Sequence, residues 1–353
     1  MIQKPQGGQF VIGDGRLSGY IAVALAALSL LGVLAFHFPQ YLTTPELRQS
    51  YDVDVIRHIM FAALVVSGAL GLWNMIRNVN KRAALIAWAL VSIAIMLGGH
   101  RIEVGNFPDH TPYLGLDWFI LDLLGSTLIF VFIEKMFPFR KQAVLRDEWQ
   151  TDTQHFLINH LMIGFALLAA NQFVTQFFGW AVSDALQQWV QAMPWWLQLL
   201  AVLLFADLMQ YSLHRAYHEV PYLWRFHSVH HSVETMDWLA GSRQHILELI
   251  VTRCFVLTPI FVFGFEKSVI DTYIIIVGFQ AVFNHANANI HVGWLKYIIV
   301  TPQFHHWHHA SDKAAIDRNY AAHFSFIDYL FKTAVLGQEK WPKKYGIVGG
   351  GMP

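Results

Sequence analysis

Long apolar stretches, separated by short polar segments, make up most of this chain. A helix needs about 20 mostly apolar residues to cross the hydrocarbon core of a bilayer. Eight stretches reach or approach that length, at residues 19–36, 55–75, 83–99, 117–137, 156–178, 195–213, 246–264 and 268–284. The pattern predicts an all-α integral membrane protein with about eight transmembrane helices. No small-residue cleavage site follows the first stretch, so we expect a retained span there rather than a signal peptide.

The composition agrees with this prediction. Hydrophobic residues make up 55% of the chain and charged residues only 14%, whereas soluble domains carry about 25% charged residues. The 24 basic and 24 acidic residues balance, which argues against a nucleic-acid partner. The single cysteine, Cys254, excludes an internal disulfide and a thiolate metal cluster.

Basic residues mark one side of the predicted membrane segments. They follow the second, fourth, sixth and eighth spans, as Arg77, Lys81, Arg82, Lys135, Arg140, Lys141, Arg146, Arg215, Arg225, Arg243, Lys296, Lys313, Arg318 and Lys332. Short cytoplasmic loops are enriched in Lys and Arg. We therefore expect both termini, and a histidine-rich cap formed by the later loops, on the cytoplasmic side.

Histidines form the strongest chemical signal. Thirteen of the nineteen lie between His214 and His323, and three tight clusters hold most of them: His214 and His218; His227, His230 and His231; His305, His306, His308 and His309. Positions i, i+3 and i+4 share one face of a helix, so each cluster can direct two or three imidazoles at one point. His285 ends the eighth span at the same depth. One tetrahedral zinc takes about four ligands, so this number of histidines suits two metal ions.

Ligand type alone leaves the metal open, because neutral imidazoles suit iron, zinc, copper and nickel. A two-metal, histidine-rich site against a membrane favours iron and O₂ chemistry on a lipid. Two other classes stay open at this point. A metal transporter or sensor would need polar ligands near the bilayer midplane, and a membrane haem protein would use paired histidines as axial ligands.

Several motifs surround the histidines in a fixed order. They are Asp207-x₃-Tyr211-x₂-His214-Arg-x₂-His218, Leu223-Trp-Arg-Phe-His227-x₂-His230-His231-Ser, His285-x-Asn287, Phe304-His305-x₂-His308-His309, Asn319-Tyr320 and Phe326-x-Asp328-x₂-Phe331-x-Thr333. Over residues 205–335 this series resembles the fatty acid hydroxylase / sterol desaturase superfamily. The chain departs from the usual Phe-Gly-Thr ending, because Lys332 stands in the place of the glycine.

The resemblance implies an integral-membrane di-iron enzyme that uses O₂ and two electrons to hydroxylate or desaturate a lipid. Its implied metal ligands are His214, His218, His227, His230, His231, His285, His305, His308 and His309. Further ligands, or partners of the ligands, are expected among His245, His306, His323, Asp207, Asn287, Asn319 and Asp328. The implied partners are a membrane lipid, such as a fatty acyl chain, a sterol-like lipid or an ether lipid, and a separate electron-transfer protein.

The polar segment at 138–155 is the best break in the chain. We predict a membrane accessory region of about four spans at residues 1–150. A fatty acid hydroxylase/sterol desaturase-like domain at residues 151–340 then carries the histidine clusters, and residues 341–353 form a short tail.

Overall fold

A computed structural model describes residues 16–44, 52–77, 81–106, 115–335 and 341–349. Within these ranges the regular structure is helical, with two isolated β-bridges. The α-helices, numbered in chain order, are α1 Arg16–His37, α2 Pro39–Leu42, α3 Val53–Arg77, α4 Arg82–Met96, α5 Leu116–Met136, α6 Trp149–Phe178, α7 Asp184–Gln191, α8 Trp195–Glu219, α9 Pro221–His231, α10 Ile246–Phe263, α11 Lys267–His285, α12 Pro302–His308 and α13 Ser325–Leu330. The predicted all-α class is confirmed.

Seven of these helices are long and apolar enough to cross a membrane: α1, α3, α4, α5, α6, α8 and α10. The chain is thus a multi-pass membrane protein. Helix α11 coincides with the eighth predicted span but is not among the seven, so the count of eight stays a prediction.

The chain divides into two compact units, residues 1–122 and 123–353. In the first unit, α1, α3 and α4 pack through small side chains, and Ala22, Ala26, Ala84 and Ala87 have no exposed surface. Small residues let membrane helices approach closely. The Ser67 hydroxyl also donates to the carbonyl of Ala22 at 2.7 Å. The predicted domain boundary near residue 150 stays a prediction.

In the second unit, α8 carries the first histidine cluster and α9 carries the second. Helix α8 ends at Glu219, and Val220 is extended with φ −102° and ψ 112°, because a residue before proline is disfavoured in the helical region. Pro221 then occupies the first turn of α9, a position where its missing N–H costs no hydrogen bond. Helix α9 therefore begins two residues before Leu223, at which the motif of the second cluster opens.

The third cluster lies on α12, which also begins at a proline, Pro302. Thr301 caps this helix, since its side chain accepts a hydrogen bond from the backbone N–H of Phe304 at 3.3 Å. Buried apolar residues of α8 and α12, including Tyr211 and Phe304, pack together with Val300, Tyr320 and Ile327. This core holds the ends of α8 and α12 against each other.

Candidate metal centre

Nine histidines converge in two groups. The five-histidine group contains His214, His218, His227, His231 and His308, and the four-histidine group contains His230, His285, His305 and His309. Within each group the potential ligand nitrogens all lie within 4.8 Å of one another. The structure therefore brings together all nine histidines for which the sequence predicted metal ligation.

Helix geometry explains how the residues are shared between the groups. His214 and His218 are one turn apart on α8, and His227 and His231 are one turn apart on α9. His230 directly precedes His231, so it is rotated by about 100° around the helix axis. It therefore points into the other group, together with His285 at the end of α11.

Six of the nine rings are held by a partner at Nδ1, whereas the buried Nδ1 atoms of His305 and His309 have no hydrogen-bond partner among the described residues. His214, His230, His285 and His308 each donate from Nδ1 to a backbone carbonyl, at 2.7, 3.0, 2.7 and 2.8 Å, and the acceptors are those of Tyr320, Arg243, Ala281 and Arg318 respectively. A carbonyl can only accept, and a neutral imidazole carries one N–H. The Nε2 atoms of these four histidines are therefore unprotonated.

Two carboxylates serve the same purpose in the five-histidine group. Glu248 Oε1 lies 2.8 Å from Nδ1 of His227, and Asp317 Oδ1 lies 3.2 Å from Nδ1 of His218. Metal-bound histidines commonly use their second nitrogen in this way, which fixes the tautomer and raises the basicity of the ligand atom.

Ring nitrogens face one another inside both groups, and in the four-histidine group the two facing atoms of His230 and His285 are both unprotonated. The Nε2 atoms of His230 and His285 are 3.2 Å apart, and those of His214 and His227 are 3.0 Å apart. Two lone pairs at this distance repel unless a cation lies between them. Metal–nitrogen bonds of about 2.1 Å at right angles place two ligand atoms about 3 Å apart. The donor set and its spacing thus fit metal ions.

Protonation does not account for these contacts. Burial, followed by the charge of neighbouring imidazoles, holds the pKa of His230 and His227 well below the usual 6.5. Both rings are neutral at neutral pH, which is the form that binds a metal. In the five-histidine group, the buried Nε2 of His218 has no hydrogen-bond partner among the described residues, as expected of a ligand atom.

The other histidines singled out from the sequence lie outside both groups. His306 lies with Nδ1 2.8 Å from the hydroxyl of Tyr345 and Nε2 3.1 Å from the carbonyl of His285. His245 caps α10, accepting from the backbone N–H of Leu247 at 3.1 Å. His323 Nδ1 lies 3.0 Å from the side-chain oxygen of Gln280.

The polar residues singled out with them hold backbone segments near the histidines. Asp207 accepts hydrogen bonds from the N–H groups of residues 322–324 at 2.7–3.2 Å. Asp328 accepts from Tyr320 and Ala321, both at 2.8 Å. Asn319 donates to the carbonyls of Phe304 and Val335, and Asn287 pairs with the backbone of Arg140.

The sequence did not single out Glu248 or Asp317 as partners of the histidines. The position of Glu248, an acid at the start of an apolar span, is the one feature that could have indicated such a role. Aromatic packing completes the site, because the ring of Trp224 lies 5.2 Å from that of His218 and 5.4 Å from that of His231. These contacts cover one side of the five-histidine group.

Comparison with known proteins gives one family. The fatty acid hydroxylase family model matches residues 199–333. An ornithine lipid hydroxylase of Rhizobium tropici is 27% identical over 220 residues, which cover 61% of this chain and 66% of that protein. No solved structure matches.

Two other kinds of relative match a shorter region. An alkylglycerol monooxygenase of Xenopus tropicalis is 31% identical over 152 residues, 43% of this chain and 33% of the relative. A very-long-chain aldehyde decarbonylase of Oryza sativa subsp. indica is 27% identical over 138 residues, 36% of this chain and 22% of the relative. The matches thus span less than two thirds of these relatives' own length. Residues 199–333 therefore form a fatty acid hydroxylase domain, the family that the motifs of this region resemble.

Proposed function

We propose that this protein is a membrane-bound, O₂-dependent lipid hydroxylase whose nine converging histidines hold two iron ions. The observation that supports it most strongly is the 3.2 Å separation of the unprotonated Nε2 atoms of His230 and His285, with a 3.0 Å contact between the Nε2 atoms of His214 and His227 in the other group. Relatives named as an ornithine lipid hydroxylase and an alkylglycerol monooxygenase support oxygen chemistry on a lipid. That support favours iron among the metals that imidazole suits.

When bound, the two irons would supply the activation of O₂ that an unactivated C–H bond of a lipid requires. The chain's own residues would bind the metal ions and orient the ligand nitrogens. The Nδ1 acceptors hold six of the nine imidazoles in one tautomer, and burial keeps the rings neutral and excludes bulk water. The residues of the two groups are buried, apart from the half-buried His218, so a lipid carbon placed there would react away from solvent.

We propose a membrane lipid as the substrate and hydroxylation as the reaction. A fatty acyl chain, a sterol-like lipid and an ether lipid all offer suitable C–H bonds, and desaturation would begin with the same hydrogen abstraction. The two electrons would come from a separate electron-transfer protein.

The test combines metal content with lipid analysis. Purified protein loaded with iron is expected to hold two ions per chain. Lipids from cells that carry the gene are expected to include species heavier by one oxygen atom than those from cells without it. His230→Ala should abolish that product, whereas His58→Ala, which alters an exposed histidine of α3, should not. Clearly fewer than two ions, or full turnover in His230→Ala, would contradict the proposal.

We further propose that the metal centre lies at the cytoplasmic face, because basic residues follow the second, fourth, sixth and eighth predicted spans. The test uses Arg225→Cys and Lys267→Cys, each in a Cys254→Ser background. Arg225 is exposed, and the side chain of Lys267 is 81% exposed. A membrane-impermeant maleimide should label position 225 only from the cytoplasmic side and position 267 only from the other. Reversed labelling would overturn this orientation.

A further inference from the structure

Four buried charged residues form a cluster outside the two histidine groups. Arg146, Asp152, Asp237 and Arg243 are each no more than 4% exposed. Arg146 bonds to both Asp152 and Asp237, the latter at 2.9 Å, and Nε of Arg243 lies 2.5 Å from Asp152 Oδ1. We call this set the ion network. At its edge, Arg243 also pairs with the exposed Glu148 at 3.2 Å.

A network of this kind is weak evidence for a contribution to stability. Removing charges from water is costly, and a buried ion pair often stabilises a protein no better than apolar residues of the same volume. The ion network does fix the backbone at residues 237–243, which we call the 237–243 turn. Asp237 Oδ1 accepts from the N–H groups of Leu239 and Ala240, at 3.1 and 3.0 Å, and the Ser242 hydroxyl donates to the carbonyl of Asp152 at 3.2 Å.

The 237–243 turn contacts two members of the four-histidine group. The carbonyl of Arg243 accepts the hydrogen bond from Nδ1 of His230 at 3.0 Å. Gly241 lies against the ring of His285, and a Cβ atom on this glycine would come within 2.7 Å of the ring's Nδ1. The turn thus sets the position of both rings.

A third acid ties this turn to the residues after His285. Glu134 Oε1 accepts from the N–H of Trp238 at 2.7 Å and from the N–H of Asn287 at 2.9 Å. One carboxylate oxygen therefore holds the two backbone segments that flank the four-histidine group.

The five-histidine group is supported by different residues. The partners of its Nδ1 atoms are Glu248, Asp317 and the carbonyls of Arg318 and Tyr320. None of these belongs to the ion network or to the 237–243 turn. The ion network reaches this group only through a long contact of 3.4 Å from Arg243 to the hydroxyl of Ser232, next to His231.

We infer that the ion network, acting through the 237–243 turn, positions His230 and His285 and so controls metal binding by the four-histidine group alone. Asp152 and Arg243 are then positioning residues, and the inference rests on the proposed function, in which both groups hold a metal. Losing a partner of this kind weakens metal binding about 10–100-fold.

The test measures binding of cobalt(II) to the full-length protein in detergent. Wild type is expected to bind two ions and Asp152→Asn only one at the concentration that saturates wild type. The double variant Asp152→Asn/His231→Ala should bind none, because His231 belongs to the other group, whereas Asp152→Asn/His230→Ala should still bind one. Asp271→Asn is the control, since Asp271 pairs with Lys267 on an exposed surface.

Gly241→Ala tests the same inference without altering a charge. We expect it to lose the same ion as Asp152→Asn, because the added methyl group displaces His285. Gly164→Ala is its control, since a Cβ at Gly164 would meet nothing within 4 Å. Glu248→Gln should instead weaken the five-histidine group, through His227.

The outcomes separate this inference from the proposed function. Fewer than two ions bound by wild type would contradict the proposed function itself. Two ions bound by wild type, together with loss of both or of neither in Gly241→Ala and Asp152→Asn, would overturn the role of the ion network. A merely structural effect would weaken both groups equally.

Discussion

Adjacent histidines of α9 face different groups. Nε2 of His230 lies 3.2 Å from Nε2 of His285, whereas Nε2 of His231 lies 2.9 Å from Nε2 of His308. The two side chains leave the helix about 100° apart, and that angle is sufficient to divide them between two ions. Residue spacing within one helix therefore helps to define a two-metal arrangement.

This division gives a prediction at single-residue resolution. His230→Ala and His231→Ala should each leave about one bound ion per chain, but at different sites. The cobalt absorption spectra of the two variants should therefore differ, and their sum should approximate the wild-type spectrum. The measurement is metal content together with the visible spectrum, and identical residual spectra would contradict the assignment.

At the residue scale, the sequence predicted the convergence of the nine histidines but not their partners. Helical periodicity and cluster spacing were sufficient to predict this convergence. Most Nδ1 partners are backbone carbonyls, such as those of Arg243 and Tyr320, and every residue has a carbonyl. No residue type can therefore mark them in advance.

At the scale of elements, the segment 317–324 supports the five-histidine group. It supplies the carbonyls of Arg318 and Tyr320 as well as the carboxylate of Asp317. Asp207 and Asp328 hold this segment by accepting its backbone N–H groups. Asp207 therefore acts on the histidines through this loop.

Asp207→Asn should destabilise this segment. The amide keeps one acceptor oxygen, but its NH₂ group then faces backbone donors, and an unsatisfied buried donor costs about 1–3 kcal/mol. We expect a lower thermal unfolding midpoint and weaker metal binding by the five-histidine group. Asp271→Asn serves as the exposed control. An unchanged midpoint in Asp207→Asn would show that the segment does not depend on this carboxylate.

The C-terminal segment 341–349 contacts the site through His306. Because Nε2 of His306 donates to the carbonyl of His285, its Nδ1 must accept from the hydroxyl of Tyr345. Tyr345→Phe leaves this buried nitrogen without a donor and should lower stability by about 1–3 kcal/mol. Tyr222→Phe, at a tyrosine that is 65% exposed, should have no effect. Denaturant unfolding of the two variants measures the difference.

Local signals explain which elements were predictable. Prolines at positions 221 and 302 marked the boundaries of α8, α9 and α12, because proline lacks the N–H that a helix interior requires. The 237–243 turn and the segment 317–324 have no periodic pattern, and buried acids hold them from distant parts of the chain, such as Asp152 and Asp207. Only the folded arrangement reveals these links.

At the scale of the whole molecule, the length of the apolar stretches predicted a membrane protein. The same stretches do not indicate where the chain divides into compact units. The predicted domain boundary near residue 150 stays a prediction, and the two compact units divide the chain after Asp122, within α5. A helix that runs through a boundary leaves no compositional change there. All nine converging histidines nevertheless lie in the second unit.

Metal removal should therefore affect the two units differently. A metal present at about a thousand times its dissociation constant stabilises the folded state by about 4 kcal/mol, and its loss leaves the facing lone pairs of His230 and His285 without a cation. Chelation should lower hydrogen-exchange protection in α9 and α12, which carry metal ligands, and leave α1, α3 and α4 unchanged. Hydrogen exchange with mass spectrometry, before and after chelation and again after iron is restored, measures this. Equal loss of protection in both units would contradict a stabilising metal site that is confined to the second unit.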